Sequence, residues 1–293
     1  MNLVLTVLEI VAPVFLLAAI GFFWVRLGVE YQIRFVTHLA MTLAVPCLIF
    51  MALVETEIAP SALASVSLAT LATYGALTIA VWALVCCMGL ERRTYLAPLI
   101  FGNTGNLGLP LALFAFGNEG LGFAVVIFAI MAIYSFTFGL WVVAGGGNPL
   151  KALREPLVLA TIVGGIFLWQ DWQVPTFLGN AISLVGQMAI PMMLITLGVA
   201  IARLSVAGLG RALVLSVVKV ILAVAISWPI GRYFALDAVP FAVLVLQVAT
   251  PVAVTSYLLA EKYGAESEPV AALVVTSTCL SVLYLPLILA FVI

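Results

Sequence analysis

Ten times along this chain, roughly twenty residues pass with scarcely a charge: 5–24, 35–54, 62–84, 95–116, 122–143, 156–169, 177–200, 212–233, 240–260 and 269–290. A helix that crosses a bilayer needs about 20 mainly apolar residues. Soluble domains carry about 25% charged residues; here the share is 8%, against 66% hydrophobic. A soluble fold would have to cover its surface with leucine and valine. The pattern therefore predicts an all-α integral membrane protein with ten transmembrane helices. The sixth is short, and its start can reach back into 150–154. The N-terminus, MNLVLTVLEIVAPVF, has no basic region and no small-x-small cleavage pattern before its first charges, which predicts a retained first helix rather than a signal peptide.

Charge placement gives the orientation. With both ends of the chain outside, the connections after spans one, three, five, seven and nine are cytoplasmic. They hold Arg26, Arg34, Arg92, Arg93, Lys151, Arg154, Arg203, Arg211 and Lys262, nine of the eleven basic residues. The opposite connections hold only Arg232, and Lys219 lies within a span. That bias follows the positive-inside rule. A miscounted helix would scramble it. The expected arrangement is a multi-pass membrane protein with both termini outside.

Several function classes drop out. A net charge of -1 offers no basic face for nucleic acid. Cys47, Cys86, Cys87 and Cys279 lie in apolar text without the paired spacing of a zinc or redox site. No catalytic triad, metal cluster, phosphate-binding loop or haem site is legible, so neither an enzyme nor a cofactor is expected.

The glycine-rich charged segment 145–155 divides the chain into five spans and five: a first repeat 1–144, a central cytoplasmic loop 145–155 and a second repeat 156–293. Spans two and seven each carry a proline, Pro46 in TLAVPCLIF and Pro191 in QMAIPMMLI. Pro13 to Gly21 and Pro156 to Gly164 share one interval. An odd number of helices per repeat makes the second copy enter from the opposite face, as in many secondary transporters.

Span four reads YLAPLIFGNTGNLGLPLALF, with Gly102, Asn103, Thr104, Gly105, Asn106, Gly108 and Pro110 at its centre. Glycine loosens a helix, asparagine competes for backbone hydrogen bonds, and proline removes a donor. A continuous helix is not expected there. In span nine, PFAVLVLQVATPVAVTSYLLA, Thr250 and Pro251 read as the N-cap and first residue of a second half-helix, and Gln247 lies where the first half ends. Broken backbone in hydrocarbon survives only when buried in protein or lining a polar cavity. Each break also places a half-helix N-terminus, with free N–H groups, near the middle of the membrane. Asn103 and Asn106 either face the solute there or cap the broken ends.

Pro46 and Pro191 free the carbonyls of Thr42 and Gln187, whose polar side chains either line the pathway or repair the local ladder. Lys219 lies about 10–12 Å into span eight. It either attracts an anion or pairs with a carboxylate at depth, or it snorkels to the surface. Glu9 is expected at the outer interface, His38 at the cytoplasmic one, and the Glu55–Glu57 and Glu266–Glu268 pairs in solvated loops.

Through GNTGNLGLPLALFAFG the chain resembles the auxin efflux carrier family, in particular its bacterial malonate- and malate-permease-like members, within the wider group of bile-acid/sodium symporters. The resemblance extends over most of the chain. It implies a bacterial cytoplasmic (inner) membrane, two inverted five-helix repeats, a scaffold domain of helices 1, 2, 6 and 7, a transport domain of helices 3–5 and 8–10, and a crossing of the broken helices four and nine. By resemblance the crossover positions are Asn103, Thr104, Gly105, Asn106 and Pro110, with Gln247, Thr250 and Pro251. The plant carriers have an Asn-Pro-Asn break and a long hydrophilic central loop, both missing here, so auxin is not the expected cargo. A small mono- or dicarboxylate is.

The resulting expectation is a secondary transporter of small organic anions working by elevator-like alternating access, with membrane lipid around it and a homodimer through the scaffold helices. Proton coupling, sodium coupling and uniport all stay open. The competing class is a membrane solute sensor or assembly partner that transports nothing. The absence of a soluble signalling domain speaks against it.

Overall fold

Backbone polar groups in hydrocarbon must be satisfied within the segment, which leaves helices or closed barrels; this chain is helical. The computed structural model describes residues 3–55, 60–146, 156–170, 172–203 and 208–292. Lys151, Arg154 and Glu57 lie outside these residues, as does most of the central loop, and the Glu9 side chain is likewise not described. Among the described residues six helical stretches are long and apolar enough to cross a membrane, and shorter apolar helices accompany them. The helices are α1 (Leu3–Arg26), α2 (Ile33–Leu39), α3 (Val45–Val54), α4 (Pro60–Cys87), α5 (Arg92–Ile100), α6 (Leu109–Tyr134) and α7 (Leu140–Ala144) in the first half. The second half contains α8 (Pro156–Gln170), α9 (Thr176–Gln187), α10 (Ala189–Arg203), α11 (Leu209–Tyr233), α12 (Ala238–Val248), α13 (Val254–Tyr263) and α14 (Ser267–Val292).

The outside of the molecule is apolar. Leu16, Ile79, Leu184, Leu283 and Phe291 are all exposed, as suits contact with lipid. Trp169 and Trp172 lie exposed at the end of α8, and Tyr233 at the end of α11, where aromatic rings meet a membrane interface.

Helix packing falls into two groups. α1 lies along α10, and α3 packs on α8 and α9; α4, α6, α11, α12 and α14 pack chiefly on one another. Glycines allow the first group to touch through backbone. A Cβ on Gly21 would fall on the Ile195 carbonyl oxygen, and one on Gly198 would fall on that of Ala18. Gly164 of α8 makes the corresponding approach to α3, where a Cβ would stand 3.1 Å from Leu53 Cδ1 and 3.5 Å from Phe50 Cα. Small residues at such contacts are how membrane helices draw close.

Two local features differ from the sequence expectation. The connection expected between spans four and five, 117–121, is a reversal centred on a single residue, Gly117, with φ 63° and ψ -153°, after which helix resumes at once. A Cβ on Gly120 would lie 2.7 Å from the Ala112 carbonyl oxygen; a straight helix would separate residues so far apart by about 12 Å. Only glycine takes that backbone conformation without strain. The second concerns Pro46, a proline whose missing donor leads one to expect a helix break. Span two stays helical through it, because a π turn at Ala40–Ala44 carries the Val45 N–H to the Ala40 carbonyl.

Candidate functional site

Between α5 and the π turn Thr104–Gly108 the chain is extended, and so it is between α12 and α13. The two extended pieces cross. Gly102 and Val252 form an antiparallel bridge, and the Asn103 N–H donates to the Pro251 carbonyl oxygen at 2.7 Å. Each break thus satisfies part of the other's backbone, as burial requires. Closeness demands glycine here: a Cβ on Gly102 would coincide with Thr250 Oγ1.

Neighbouring helices support the crossing. Ser277 Oγ accepts the Val252 N–H at 2.9 Å, and Tyr284 OH donates to the Ala249 carbonyl at 3.0 Å. Lys219 Nζ donates to the Thr250 carbonyl at 2.8 Å. That lysine is 3% exposed and is the one charged side chain buried among the described residues. It therefore does not snorkel, and among the described residues its partner is a backbone carbonyl rather than a carboxylate.

One sequence expectation needs correcting. Thr250 and Pro251 do not begin the second half-helix, which starts at Val254 with Ala253 before it. Thr250 Oγ1 instead donates back to the Gln247 carbonyl at 2.7 Å. The reason is tertiary: Pro251 and Val252 are taken up by the crossing.

The N-terminal ends of both second halves line one small cavity of about 60 Å³. Asn103, Gly105 and Asn106 border it from one break, and Ala253, Thr255 and Ser256 from the other; Arg93 borders it as well. Free N–H groups at these ends carry partial positive charge, which favours an anion. Asn103 lies at the N-cap position of the π turn but makes no capping bond, and its Nδ2 is buried without a partner. Thr104 Oγ1 and both amide atoms of Gln247 are likewise buried and unpartnered. Orphaned polar atoms of this kind are rare in a finished core. Gln247 lies against Gly108, where a Cβ would overlap its side chain, and Pro110 is buried just beyond.

The other singled-out residues lie elsewhere. Thr42 is exposed and its hydroxyl donates to the His38 carbonyl at 2.7 Å, which is ladder repair. Gln187 and Pro191 are exposed and line a separate cavity of about 1010 Å³ that Glu55, Glu119 and Asp237 also border. None of Asn103, Asn106, Gln247 and Thr250 borders that larger cavity.

Sequence reasoning missed Ser277 and Tyr284. They recur with Ser281 at i, i+4 and i+7, and so share one face of α14; that stripe was the available signal. Arg93 had been read only as a loop charge. It donates to the carbonyls of Val143 at 3.1 Å and Tyr263 at 2.7 Å, tying α5 to the ends of α7 and α13.

A family model described as "Membrane transport protein" matches residues 6–152 and 146–289. The chain belongs to that family. It is the auxin efflux carrier family to which the glycine- and asparagine-rich break pointed, and membership makes the chain a multi-pass membrane transporter rather than an enzyme. Relatives span nearly its whole length. An uncharacterised transporter of Methanocaldococcus jannaschii is 21% identical over 96% of this chain and 97% of its own. A Rhizobium meliloti protein named "Putative malonate transporter" is 25% identical over 93% and 92%.

Proposed function

We propose that this membrane transporter is a secondary carrier of small organic anions, mono- or dicarboxylates, working by elevator-like alternating access. The observation that carries the reading is the small cavity at the crossing. Two half-helix N-termini converge on it, Asn103 with its unpartnered side-chain Nδ2 borders it, and no carboxylate is buried among the described residues. Its volume of about 60 Å³ holds about two waters, so cargo enters only when the site widens. The name of the Rhizobium meliloti relative agrees with a dicarboxylate.

In this reading ten spans form two inverted five-helix repeats, 1–144 and 156–293. The interval from Pro13 to Pro156 also carries Gly21 to Gly164, and that from Pro46 to Pro191 carries Phe50 to Ile195. Gly21 meets Ile195 and Gly164 meets Phe50, so the contacts exchange as an internal two-fold requires. The group containing α1, α3, α8, α9 and α10 is the scaffold, through which two copies would meet. The group holding both broken helices carries the cargo, and Asn103, Thr104, Gly105, Asn106, Gln247 and Thr250 form or shape its site. With both termini outside, the small cavity lies toward the cytoplasm and the large one toward the exterior.

Purified protein in liposomes, given a panel of labelled carboxylates under imposed proton and sodium gradients, tests this. Saturable flux of at least one small carboxylate is expected. Binding without flux under every gradient overturns the carrier reading.

The outer cavity bears on rate. Glu55, Glu119 and Asp237 at its border give it negative potential, which repels an arriving anion. Neutralising all three with Gln, Gln and Asn is expected to speed anion entry from outside by about tenfold at low salt. The gain should shrink at 0.15 M salt, where the screening length is about 8 Å. Unchanged low-salt entry rates would remove the acids from the pathway.

A further inference from the structure

A buried ammonium in a membrane protein needs acceptors, and the acceptor here is informative. Lys219 leaves the middle of α11 and reaches the Thr250 carbonyl. Thr250 follows the last turn of α12, and no helix continues to supply that oxygen with an amide donor. The carbonyl end of a half-helix carries partial negative charge. Carbonyl oxygens gathered at such an end are the usual ligands of a small hard cation inside a transporter. Lys219 places a positive charge on that end, attached to the chain by its own stem. No buried carboxylate offsets it among the described residues.

We infer that Lys219 is a built-in counter-cation which stands in for a co-transported sodium ion, so that the anion cycle runs without sodium. The inference rests on the anion-carrier reading of the crossing, and it makes Lys219 a positioning residue. It does not border the small cavity. It acts through the Thr250 carbonyl, holding the α12 end while the two positive half-helix ends stay free for cargo. A site with this fixed charge accepts an anion without first loading a cation. Removing the ammonium exposes the Thr250 carbonyl and opens the position to a mobile cation.

The test uses full-length protein and two independent readouts. The first is labelled malonate counterflow in liposomes, with sodium chloride compared with choline chloride. Wild-type flux should agree within about twofold in the two salts. Lys219→Ala should lose at least tenfold in choline and recover part of the loss in sodium or methylammonium chloride. The second readout is thermal unfolding of the detergent-purified protein in the same salts. Only Lys219→Ala should show a sodium-specific rise, of about 3 °C or more. Lys219→Met, whose unbranched stem fills similar space, serves if Lys219→Ala is not recovered from membranes.

A sodium-specific melting shift in the wild-type protein overturns the inference. So does a tenfold fall of wild-type flux without sodium, or a Lys219 variant that neither sodium nor methylammonium affects in either readout. Absence of malonate flux in every salt would count against the cargo reading alone, since the melting comparison still decides on Lys219.

Discussion

Asn106→Asp will leave the protein folded and inserted while cutting carboxylate flux by about two orders of magnitude. The substitution keeps the shape of a half-buried side chain at the edge of the small cavity. A carboxylate there sits beside two half-helix N-termini, which favour negative charge, so melting temperature should hold or rise. Cargo then meets a fixed like charge. Two unit charges about 5 Å apart at an effective dielectric of about 20 repel by about 3 kcal/mol, and each 1.4 kcal/mol is about tenfold in affinity. Saturation curves in liposomes alongside unfolding scans separate the two effects. Flux within threefold of wild type would take Asn106 out of the cargo site. Asn106→Ala, which adds no charge, should be the milder change.

Gly102→Val should damage fold and flux together. Its Cβ would overlap Thr250 Oγ1 and stand 3.0 Å from the Thr250 carbonyl oxygen, which Lys219 holds in place. Neither strand of the crossing can step aside without breaking the Asn103–Pro251 hydrogen bond. Overpacking usually costs about 1–3 kcal/mol, and more against fixed backbone. A loss of about 3 kcal/mol should lower the melting temperature by about 10 °C. Gly165→Ala is the control: a Cβ there meets nothing within 4 Å, and alanine suits a helix interior better than glycine. A Gly102→Val protein that melts with the wild type would mean that the crossing is looser than described.

Much of the architecture was legible because membrane helices are written locally. Apolar runs, their length and the cluster of helix-breaking residues at 102–110 each depend on neighbours in sequence, and the break between α5 and α6 lies where they predicted it. What failed was tertiary. Thr250 and Pro251 carry a sound local signal for a helix start, yet Asn103, far away in sequence, claims the Pro251 carbonyl. The Lys219 partner was equally hidden, since a backbone oxygen has no letter of its own. Ser277 and Tyr284 were ordinary polar residues in an apolar helix until the bond lengths assigned them acceptors and donors. Nothing in the neighbouring sequence sets Gly117 apart, and only the fold-back of the following helix gives it a task.

The crossing is held by main-chain atoms: one bridge, one amide-to-carbonyl bond, and carbonyls and an amide engaged by α11 and α14. Under the proposed carrier reading, architecture and selectivity are therefore written in different atoms. Side chains at 103–106 and 253–256 can be exchanged through evolution without dismantling the frame that presents them. Divergent cargo on a shared scaffold is the natural outcome of such a division, as sites grafted on common folds illustrate generally. A designer wishing to retarget this protein would begin with Asn103, Asn106, Thr255 and Ser256 and leave the glycines, Gly105 among them, alone.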